Sequence, residues 1–585
     1  MVLSDIAQYA LFLLLVFGLT VPSGRYLERV FSGEAVWGDW WLGPLERSLY
    51  RLMGVDPKAD MDWKAQAWAF TLSALVGAAG LFGLLMLQRL LPGPPSAAHL
   101  PSPITWDLAL NTAVSFATGT TWQAYSGETT LQYAVQMLGL VTQGFLAGGS
   151  GLAIGMAFIR GFARNEAAGL GNFWSDFIRS VLYVLLPLAA LLALVLVGQG
   201  VVMTWQDHLA IAGPGGAQVL ALGPAAALES IKNLGTNGGG FFGANGAHPF
   251  ANPTPLTNVL GMLAIVVLPA GLTHTFGRMT GRKDAGWMLF AVMTLIFSLG
   301  LWGLHHAEAV PAPALPTALA QGPNMEGKEV RFGLAQTVLA GVASSNGACG
   351  SNAAMHGSFG PIGGGVLLTN MLLGEVAFGG LGTGLVGLLM AAVVAVFLAG
   401  LMIGRTPEYL GKTFGAREVK VAILYALVIP LAVLLLSALA LMLPAGRAGL
   451  SGNPSPRQFT EVVFAYASCA LNNGQAMSGL SVNSPFWNLS TALAMLMGRF
   501  APVVLALALA GSVASQRTKP SSVGSLPAGS PLFGGLLFGV VVIVTGLSFL
   551  PVLVLGPVTE QVRSGTQAEP PPPPRSHLVH AASAP

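Results

Sequence analysis

The chain has 585 residues, of which 53% are hydrophobic and only 9% are charged, and its formal net charge is +3. Soluble globular proteins carry about 25% charged residues, so this composition excludes an ordinary soluble enzyme and makes the bilayer the solvent of the chain. The small net charge excludes a nucleic-acid partner, and two cysteines are too few for a disulfide framework or a multi-cysteine zinc site.

Ten stretches are long and apolar enough to cross a membrane as helices of about 20 residues. They predict an all-α polytopic membrane protein. The stretches lie near 6–21, 68–91, 132–159, 180–203, 257–274, 286–304, 385–403, 421–443, 488–511 and 531–556.

Basic residues collect in alternate loops. Most of the Lys and Arg lie in 22–67 and in the loops near 160–180, 275–285, 404–420 and 499–530. The positive-inside rule puts these segments inside and both termini outside. No Lys or Arg precedes the first apolar stretch, so we expect it to be a membrane helix and not a cleaved signal peptide.

Four Gly-rich polar turns recur in the segments predicted to lie outside. Their centres at Gly119, Gly238, Gly350 and Gly474 are 119, 112 and 124 residues apart, which predicts four copies of one unit. We name them turns 1 to 4. They read ATGTTWQAYSGE (117–128), LGTNGGGFFGANGAHPF (234–250), SSNGACGSNAAMHGSFG (344–360) and LNNGQAMSGLSVNSPFWN (471–488).

A short semi-apolar stretch precedes each turn, such as 225–235 and 459–470. Eleven or twelve helical residues reach only about 18 Å and cannot cross about 30 Å of hydrocarbon. Irregular backbone is tolerated at membrane depth only inside protein or beside water, so these segments predict re-entrant half-helices around a central pore or binding site. One such turn alone would be more typical of close helix packing.

The short filter stretches contain no charged residue. An ion there would depend on backbone carbonyls and neutral side-chain oxygens, which suit a monovalent, potassium-like cation better than Mg²⁺ or Ca²⁺. Each half-helix would also direct the negative end of its dipole at the cavity.

Several strings in the sequence resemble the potassium-binding, channel-like subunit of the bacterial Kdp potassium-transporting ATPases. That family belongs to the superfamily of potassium transporters. The resemblance runs from about residue 5 to 555 and implies four membrane–pore–membrane repeats plus one extra helix at each end. The strings are TTWQAYSGE (120–128), LGTNGGGFF (234–242), CG…AMHGSF (349–359), LGEVAFGGLGTGL (373–385), AGLMIGRTPEYLGK (399–412) and NNG…GLSVNSPFWN (472–488).

The resemblance implies that three residues from each turn form a potassium filter, with Gln123 supporting it. Turns 1 and 3 depart from the common family pattern, which has Asn-Thr-Asn at 119–121 and Ser at 348. A backbone carbonyl survives both changes. The filter residues are Gly119, Thr120 and Thr121; Thr236, Asn237 and Gly238; Ala348, Cys349 and Gly350; and Asn472, Asn473 and Gly474.

The resemblance also implies that potassium (K+) is the transported ion, with no organic cofactor. The expected partners are a catalytic P-type ATPase subunit, small accessory membrane subunits and the lipid bilayer, and the expected location is the bacterial inner membrane. The chain has neither a GxxxxGK[ST] loop nor an Asp-Lys-Thr-Gly string, so we expect a non-catalytic subunit.

Two alternatives remain open at this stage. One is a stand-alone potassium channel or cotransporter of the same superfamily. The other is an intramembrane enzyme, which would need a nucleophile and a base at membrane depth.

The repeats predict a division of the chain into seven parts. These are an extra helix and inner loop (1–67), repeat 1 (68–160), repeat 2 (161–277), repeat 3 with a broken helix (278–404), repeat 4 (405–515), an extra helix (516–556) and a disordered Pro-rich outer tail (557–585).

Residues 366–404 are too long for one span, since 39 helical residues would reach about 58 Å. The run FGGLGTGLVG (378–387) predicts a break below the filter, which suggests a gate. A glycine-kinked packing helix and a snorkelling arginine are the alternatives. The gate, tunnel or coupling candidates are Glu375, Gly379, Gly380, Gly382 and Arg405.

Other polar residues near the turns have simpler interpretations. Glu229 and Lys232, three residues apart, predict a pair on a helix surface. His356 is expected to stack or hydrogen-bond after turn 3. Cys349 is expected to supply a filter carbonyl and Cys469 to serve as a small packing residue.

Overall fold

The computed structural model describes residues 3–567 except 97, 101–102, 214–215, 312–321, 405–406, 452–454 and 521–525. In this part of the chain, ten helices are long and apolar enough to cross a membrane, which confirms the predicted fold class and number of spans. They are Leu3–Phe31, Trp63–Met86, Tyr133–Ala163, Phe173–Gly198, Pro255–Met279, Lys283–Glu308, Thr383–Met402, Ala416–Met442, Pro485–Ala514 and Pro531–Ser564.

Four shorter helices precede the turns. They contain 10 to 15 residues, so at about 1.5 Å per residue they fall short of a membrane thickness, as predicted. The fourth begins where the Ser455 hydroxyl accepts a hydrogen bond from Gln458 N–H and Pro456 takes the first helical position. Half-helices 1 to 4 are Trp106–Thr118, Ala225–Leu234, Gly333–Asn346 and Pro456–Ala470.

The remaining elements are short. Two antiparallel hairpins pair Leu209–Gly213 with Gly216–Leu220 and Glu408–Tyr409 with Lys412–Thr413. The other α-helices are Asp39–Met53, Gly127–Thr130, Pro361–Leu372 and Pro444–Arg447. Single-turn 3₁₀ helices lie at Gln88–Leu90, Asn245–Ala247 and His356–Ser358, and π-helical turns at Gln136–Val141, Ser180–Leu185 and Val554–Val558.

The predicted interruption of the helix in repeat 3 is confirmed. Residues 373–382 separate helix Pro361–Leu372 from helix Thr383–Ile403, and we call this segment the break. It starts five residues earlier than expected because Gly374 and Glu375 already have left-handed φ values of +84° and +53°. Such values end a right-handed helix.

Three predictions about the chain's organisation need correction. Arg499 does not belong to an inside loop, because it lies buried in the middle of helix Pro485–Ala514. The expected disordered tail is wrong for 557–567, where helix continues to Gln567; residues 568–585 lie outside the described part of the chain. The repeat limits at 67, 160 and 277 fall inside helices, since apolar composition locates a helix core but not its ends.

Candidate functional site

Glycines bring the four turns into contact. A Cβ on Gly238 would overlap the backbone of Gly350, and a Cβ on Gly350 would lie 2.8 Å from the carbonyl carbon of Gly474. A Cβ on Gly474 would in turn overlap the carbonyl of Thr120. Turns 2, 3, 4 and 1 therefore touch in that order, at a distance that only residues without a side chain permit.

Side-chain hydrogen bonds complete this arrangement. The Thr121 hydroxyl of turn 1 donates to the Asn237 carbonyl of turn 2. The Asn472 amide of turn 4 donates to the Thr120 hydroxyl of turn 1 over 2.7 Å. Turn 1 is thus bonded to both of its neighbours, and the four turns form a closed ring.

The first of the three predicted filter residues in each turn has a left-handed conformation. The φ values are +79° at Gly119, +49° at Thr236, +48° at Ala348 and +60° at Asn472. Three of these residues are not glycine, and such strain, of order 1 to 3 kcal/mol per residue, persists only where the surroundings enforce it. Within the described part of the chain, the four carbonyls accept no backbone or side-chain hydrogen bond. They are therefore available to a cation.

Turns 2, 3 and 4 also share one backbone hydrogen bond. The amide of the middle residue of each turn donates to the carbonyl five residues earlier, which aligns the half-helices position by position. The pairs are Asn237 with Lys232 (2.9 Å), Cys349 with Ser344 (3.3 Å) and Asn473 with Ser468 (2.8 Å).

The ring offers only neutral oxygen atoms. All twelve predicted filter residues lie in it, and none carries a charge. The Cys349 carbonyl accepts a hydrogen bond from the Ser344 hydroxyl, and the Cys349 thiol lies 3.7 Å from the Lys232 carbonyl in half-helix 2. A carbonyl has two lone pairs, so this bond still leaves Cys349 one for a ligand. Such a neutral set suits a monovalent cation.

The Gln123 side chain makes two polar contacts next to the predicted filter residues. Its side-chain oxygen accepts a hydrogen bond of 2.9 Å from Gly240 N–H, and its amide nitrogen contacts the Tyr125 hydroxyl at 3.3 Å. Gln123 therefore connects turn 1 with turn 2 beyond their predicted filter residues. This position fits a supporting role, which stays a prediction.

A cavity of about 190 Å³ adjoins the ring. These four left-handed residues line it together with the break, helix Ala416–Met442 and the last spanning helix. The lining includes Gly119, Thr236, Ala348, Asn472, Glu375, Gly380, Leu381, Arg499, Val540, Val544 and Phe549.

Three hydrogen bonds attach the break to the ring and its half-helices. They involve turns 2, 3 and 4, so the break is tied to three of the four repeats. The bonds run from Leu381 N–H to the Thr236 hydroxyl (3.1 Å), from Gly380 N–H to the Gly347 carbonyl (3.1 Å) and from the Asn473 amide to the Glu375 carboxylate (2.7 Å).

The break also packs against helix Tyr133–Ala163. A Cβ on Gly155 would lie 2.7 Å from Gly382 Cα, and Gly382 has a left-handed φ of +86°. Gly379 and Gly380 lie in the same segment, so four of the five gate candidates lie together. The fifth, Arg405, lies outside the described residues.

Two charged side chains line the cavity. Glu375 is 4% exposed, and its carboxylate accepts the hydrogen bond from Asn473. Arg499 is 9% exposed, and its guanidinium lies 3.5 Å from the Ala147 carbonyl and 5.7 Å from the ring centre of Phe70. Sequence reasoning missed Arg499, although a single basic residue within an apolar run is by default a functional candidate.

The predicted pairing of Glu229 with Lys232 is confirmed, but its predicted place on a helix surface is wrong. The two groups form an ion pair with side chains 4% and 0% exposed. Tertiary packing decides this difference, because residues that follow Ala225–Leu234 cover the face on which both side chains lie.

The remaining polar predictions have simple outcomes. His356 stacks edge-on against Phe359, with ring centres 5.4 Å apart, as expected. Cys349 and Cys469 are both buried and free.

Ten spans and a closed ring of re-entrant turns with neutral oxygens define a multi-pass membrane protein. The chain belongs to the KdpA family, described as the potassium-transporting ATPase A subunit, whose family model matches residues 10–562. The resemblance of the motifs is thereby confirmed over nearly the whole chain.

Relatives of similar length carry one name. The chain is 49% identical over 561 residues to a potassium-transporting ATPase potassium-binding subunit from Methylorubrum extorquens, covering 96% of this chain and 98% of the relative. It is 48% identical over 581 residues to the protein of that name from Sorangium cellulosum, covering 96% and 99%. A crystal structure of the potassium transporter TrkH from Vibrio parahaemolyticus aligns with a TM-score of 0.48 and 15% identity, covering 74% and 83%.

Proposed function

We propose that this chain binds potassium from outside in the ring of four turns and delivers it through the internal cavity to a partner P-type ATPase subunit. ATP hydrolysis by the partner then drives high-affinity uptake. The observation that carries the proposal is the ring itself, in which four left-handed residues present unbonded carbonyls to one cavity. The names of the relatives support the same ion and the same kind of complex.

The ligand chemistry favours potassium. Carbonyl oxygens can replace the hydration shell of a monovalent cation and release it again, whereas Mg²⁺ dehydrates reluctantly and Ca²⁺ sites usually supply carboxylates. All twelve ring residues are neutral, and three of the four half-helices end two residues before the left-handed position. Their negative dipole ends therefore favour a cation there.

The lining of the cavity supports delivery of the ion sideways, toward a partner in the membrane. Val540, Val544 and Phe549 of the last spanning helix form one part of this lining. Ile543 and Leu547 of the same helix are 60% and 82% exposed. Only one helix therefore separates the cavity from an apolar outer face that a membrane partner can cover.

The proposed setting is the bacterial inner membrane, with both termini outside and small accessory membrane subunits in the complex. The basic residues favour this orientation, because most of them lie in the loops between alternate pairs of spans.

The decisive experiment is purification of the native complex followed by measurement of its ATPase rate against potassium concentration. We expect a P-type ATPase subunit to co-purify and potassium to stimulate its activity. The chain expressed alone should show neither ATPase activity nor uphill potassium uptake. Uphill uptake by the chain alone would instead identify a stand-alone cotransporter.

A further inference from the structure

A buried charge pair lies directly behind turn 2, and the neutral chemistry of the ring does not require it. The Lys232 side chain is completely buried in the last turn of half-helix 2, and its ammonium group contacts the Glu229 carboxylate. Lysine is almost never fully buried without a charged partner, because removing an ammonium group from water is costly. Such a pair needs a reason beyond stability.

The position of Lys232 distinguishes repeat 2 from the other repeats. The shared backbone hydrogen bond aligns Lys232 with Ser344 and Ser468, and the corresponding position five residues before Thr120 is Ser115. Two of the serines hold turn carbonyls directly: Ser344 donates to Cys349, and Ser115 donates to Trp122 over 2.9 Å. Repeat 2 has no hydroxyl there and must hold its turn in another way.

Asn245 provides that connection. The Lys232 ammonium donates to Asn245 Oδ1 over 2.8 Å, and Asn245 Nδ2 donates to the Gly238 carbonyl of turn 2 over 2.7 Å. The Gly246 N–H also donates to Asn245 Oδ1, over 2.7 Å. Because the ammonium group and this N–H can only donate, together they fix which end of the Asn245 amide faces them. The amide nitrogen is thereby directed at Gly238.

Gly238 is a residue in the ring that needs such support. It has a φ of +96° and no side chain, so its peptide would otherwise have wide rotational freedom. It also abuts Gly350, so a rotation there would disturb turn 3 as well. The Lys232 backbone reinforces the link, since its carbonyl accepts from Asn237 N–H and lies 3.7 Å from the Cys349 thiol.

We propose that Lys232, neutralised by Glu229, is a positioning residue for ion selectivity that acts through Asn245 to fix the Gly238 peptide of turn 2. The carboxylate keeps the ammonium charge from repelling a cation in the ring, and the ammonium keeps Asn245 oriented. This inference rests on the proposed function of the ring as a potassium filter.

The main test uses variants of the whole complex that separate charge from position. In Glu229→Gln/Lys232→Met both charges are removed by side chains of similar size, a replacement that costs little stability. Asn245 still loses its ammonium donor. We expect the apparent potassium affinity of ATPase stimulation to fall about tenfold and the preference for potassium over rubidium and ammonium to fall with it. The maximal rate at saturating potassium should stay within about threefold.

A second variant, Asn245→Leu, keeps both charges and removes the Asn245 amide, which links Lys232 to Gly238 and also accepts from Gly246 N–H, at a residue with a left-handed φ of +51°. We expect the same loss of affinity and ion preference, again with the maximal rate retained. This variant decides the matter if the double variant does not assemble.

The chain offers a matched control. Lys328 and Glu308 form another completely buried pair, 2.8 Å apart, and within the described residues no hydrogen bond joins this ammonium group to a ring residue. Glu308→Gln/Lys328→Met should leave both affinity and ion preference unchanged. If it changes them as much as the double variant at Lys232, any buried pair has this effect and the inference fails.

Gly238→Ser separates failure of this inference from failure of the proposed filter. Wild-type affinity and preference in both the double variant and Asn245→Leu, with altered values in Gly238→Ser, would overturn the role of Lys232 and leave the filter intact. Unchanged values in all three would overturn the filter as well.

Discussion

The ring and the break are both glycine-rich, left-handed backbone at membrane depth, but they are held in different ways. Each turn of the ring touches its neighbours, and side chains such as Thr121 and Asn472 bond one turn to the next. The break occurs once in the described part of the chain, and it is attached to the ring on one side and to Gly155 on the other.

This difference indicates that the ring and the break have different functions. A structure repeated four times around one cavity can surround an ion evenly, which suits discrimination between ions. The break occurs in one repeat, so it makes one side of the cavity different from the others. It can also move without a change in all four turns, which suits passage of the ion. Substitutions in the ring should therefore alter affinity and preference, and substitutions in the break should alter rate.

The largest effect is expected from Gly238→Asp. A carboxylate side chain there would collide with Gly350 and bring charge into a neutral ring. We expect the apparent potassium affinity to weaken at least about 100-fold, equivalent to about 2.7 kcal/mol, and other monovalent cations to be admitted. The measurement is ATPase stimulation by potassium, rubidium, ammonium and sodium.

Gly216→Asp is the control for this variant. Gly216 has a left-handed φ of +114° in the hairpin Leu209–Leu220, and a Cβ there would meet nothing within 4 Å. It adds the same charge and the same backbone strain away from the ring. Equal losses in both variants would mean that strain alone explains the effect.

The second largest effect is expected in the break. Glu375→Gln removes the carboxylate from the cavity but keeps an oxygen that can accept from Asn473. A carboxylate about 8 Å from a cation stabilises it by about 2 kcal/mol at an effective dielectric of 20. We expect the maximal transport rate to fall about tenfold or more while the apparent affinity changes less than about threefold.

Glu418→Gln is the matched control for Glu375. Its carboxylate is also buried, but it bonds Gly415 N–H and the Ser512 hydroxyl away from the cavity. If Glu375→Gln lost affinity but kept its rate, this carboxylate would act in ion binding like the ring. That result would contradict the assignment of affinity to the ring and of rate to the break.

A smaller effect on rate is expected from Gly382→Ala. The added methyl group would overlap the Gly151 carbonyl oxygen and meet Gly155 Cα at 3.0 Å, on a backbone with φ of +86°. Strain of this kind costs about 1 to 3 kcal/mol, so we expect a several-fold slower maximal rate and a lower unfolding temperature, with unchanged ion preference. Gly535→Ala, where a Cβ meets nothing within 4 Å, should leave the rate unchanged.

Much of this architecture could be predicted because its causes are local in sequence. The length of the apolar stretches predicted the spans, the recurring Gly-rich turns predicted the half-helices, and the family resemblance supplied the twelve ring residues. Contacts between turns, such as Gly238 against Gly350, could not be predicted, because a repeat does not say which copies touch. The spacing of Glu229 and Lys232 predicted a pair, but burial depends on what packs around the helix.

Arg499 shows a different limit. Its run of apolar neighbours predicted a span, while the loop-charge pattern favoured a place outside it. The structure puts the arginine inside the helix and against the cavity. For an isolated basic residue within an apolar run, the length of the run is therefore the better guide.

The smallest effect is expected at a site outside both regions. Asp207 accepts hydrogen bonds from Ser96 N–H and His208 N–H and contacts His99 Nδ1 at 3.1 Å, which ties the hairpin Leu209–Leu220 to the loop before half-helix 1. Partial burial alone would raise the pKa of Asp207, but these hydrogen bonds outweigh it and lower the pKa below its usual value.

The sign of the pH effect follows from this lowered pKa. Ionised Asp207 stabilises the hairpin at pH values above the unfolded pKa of about 3.9, and this contribution is lost as the pH falls through the folded pKa. Asp207→Asn should therefore speed hydrogen exchange in Leu209–Leu220 up to about fivefold at pH 7, after correction for intrinsic rates, and the two proteins should converge at acidic pH. Affinity and maximal rate should both stay unchanged. A shift in affinity would mean that this hairpin also supports the ring. The contrast between ring and break would then not be sufficient to describe the molecule.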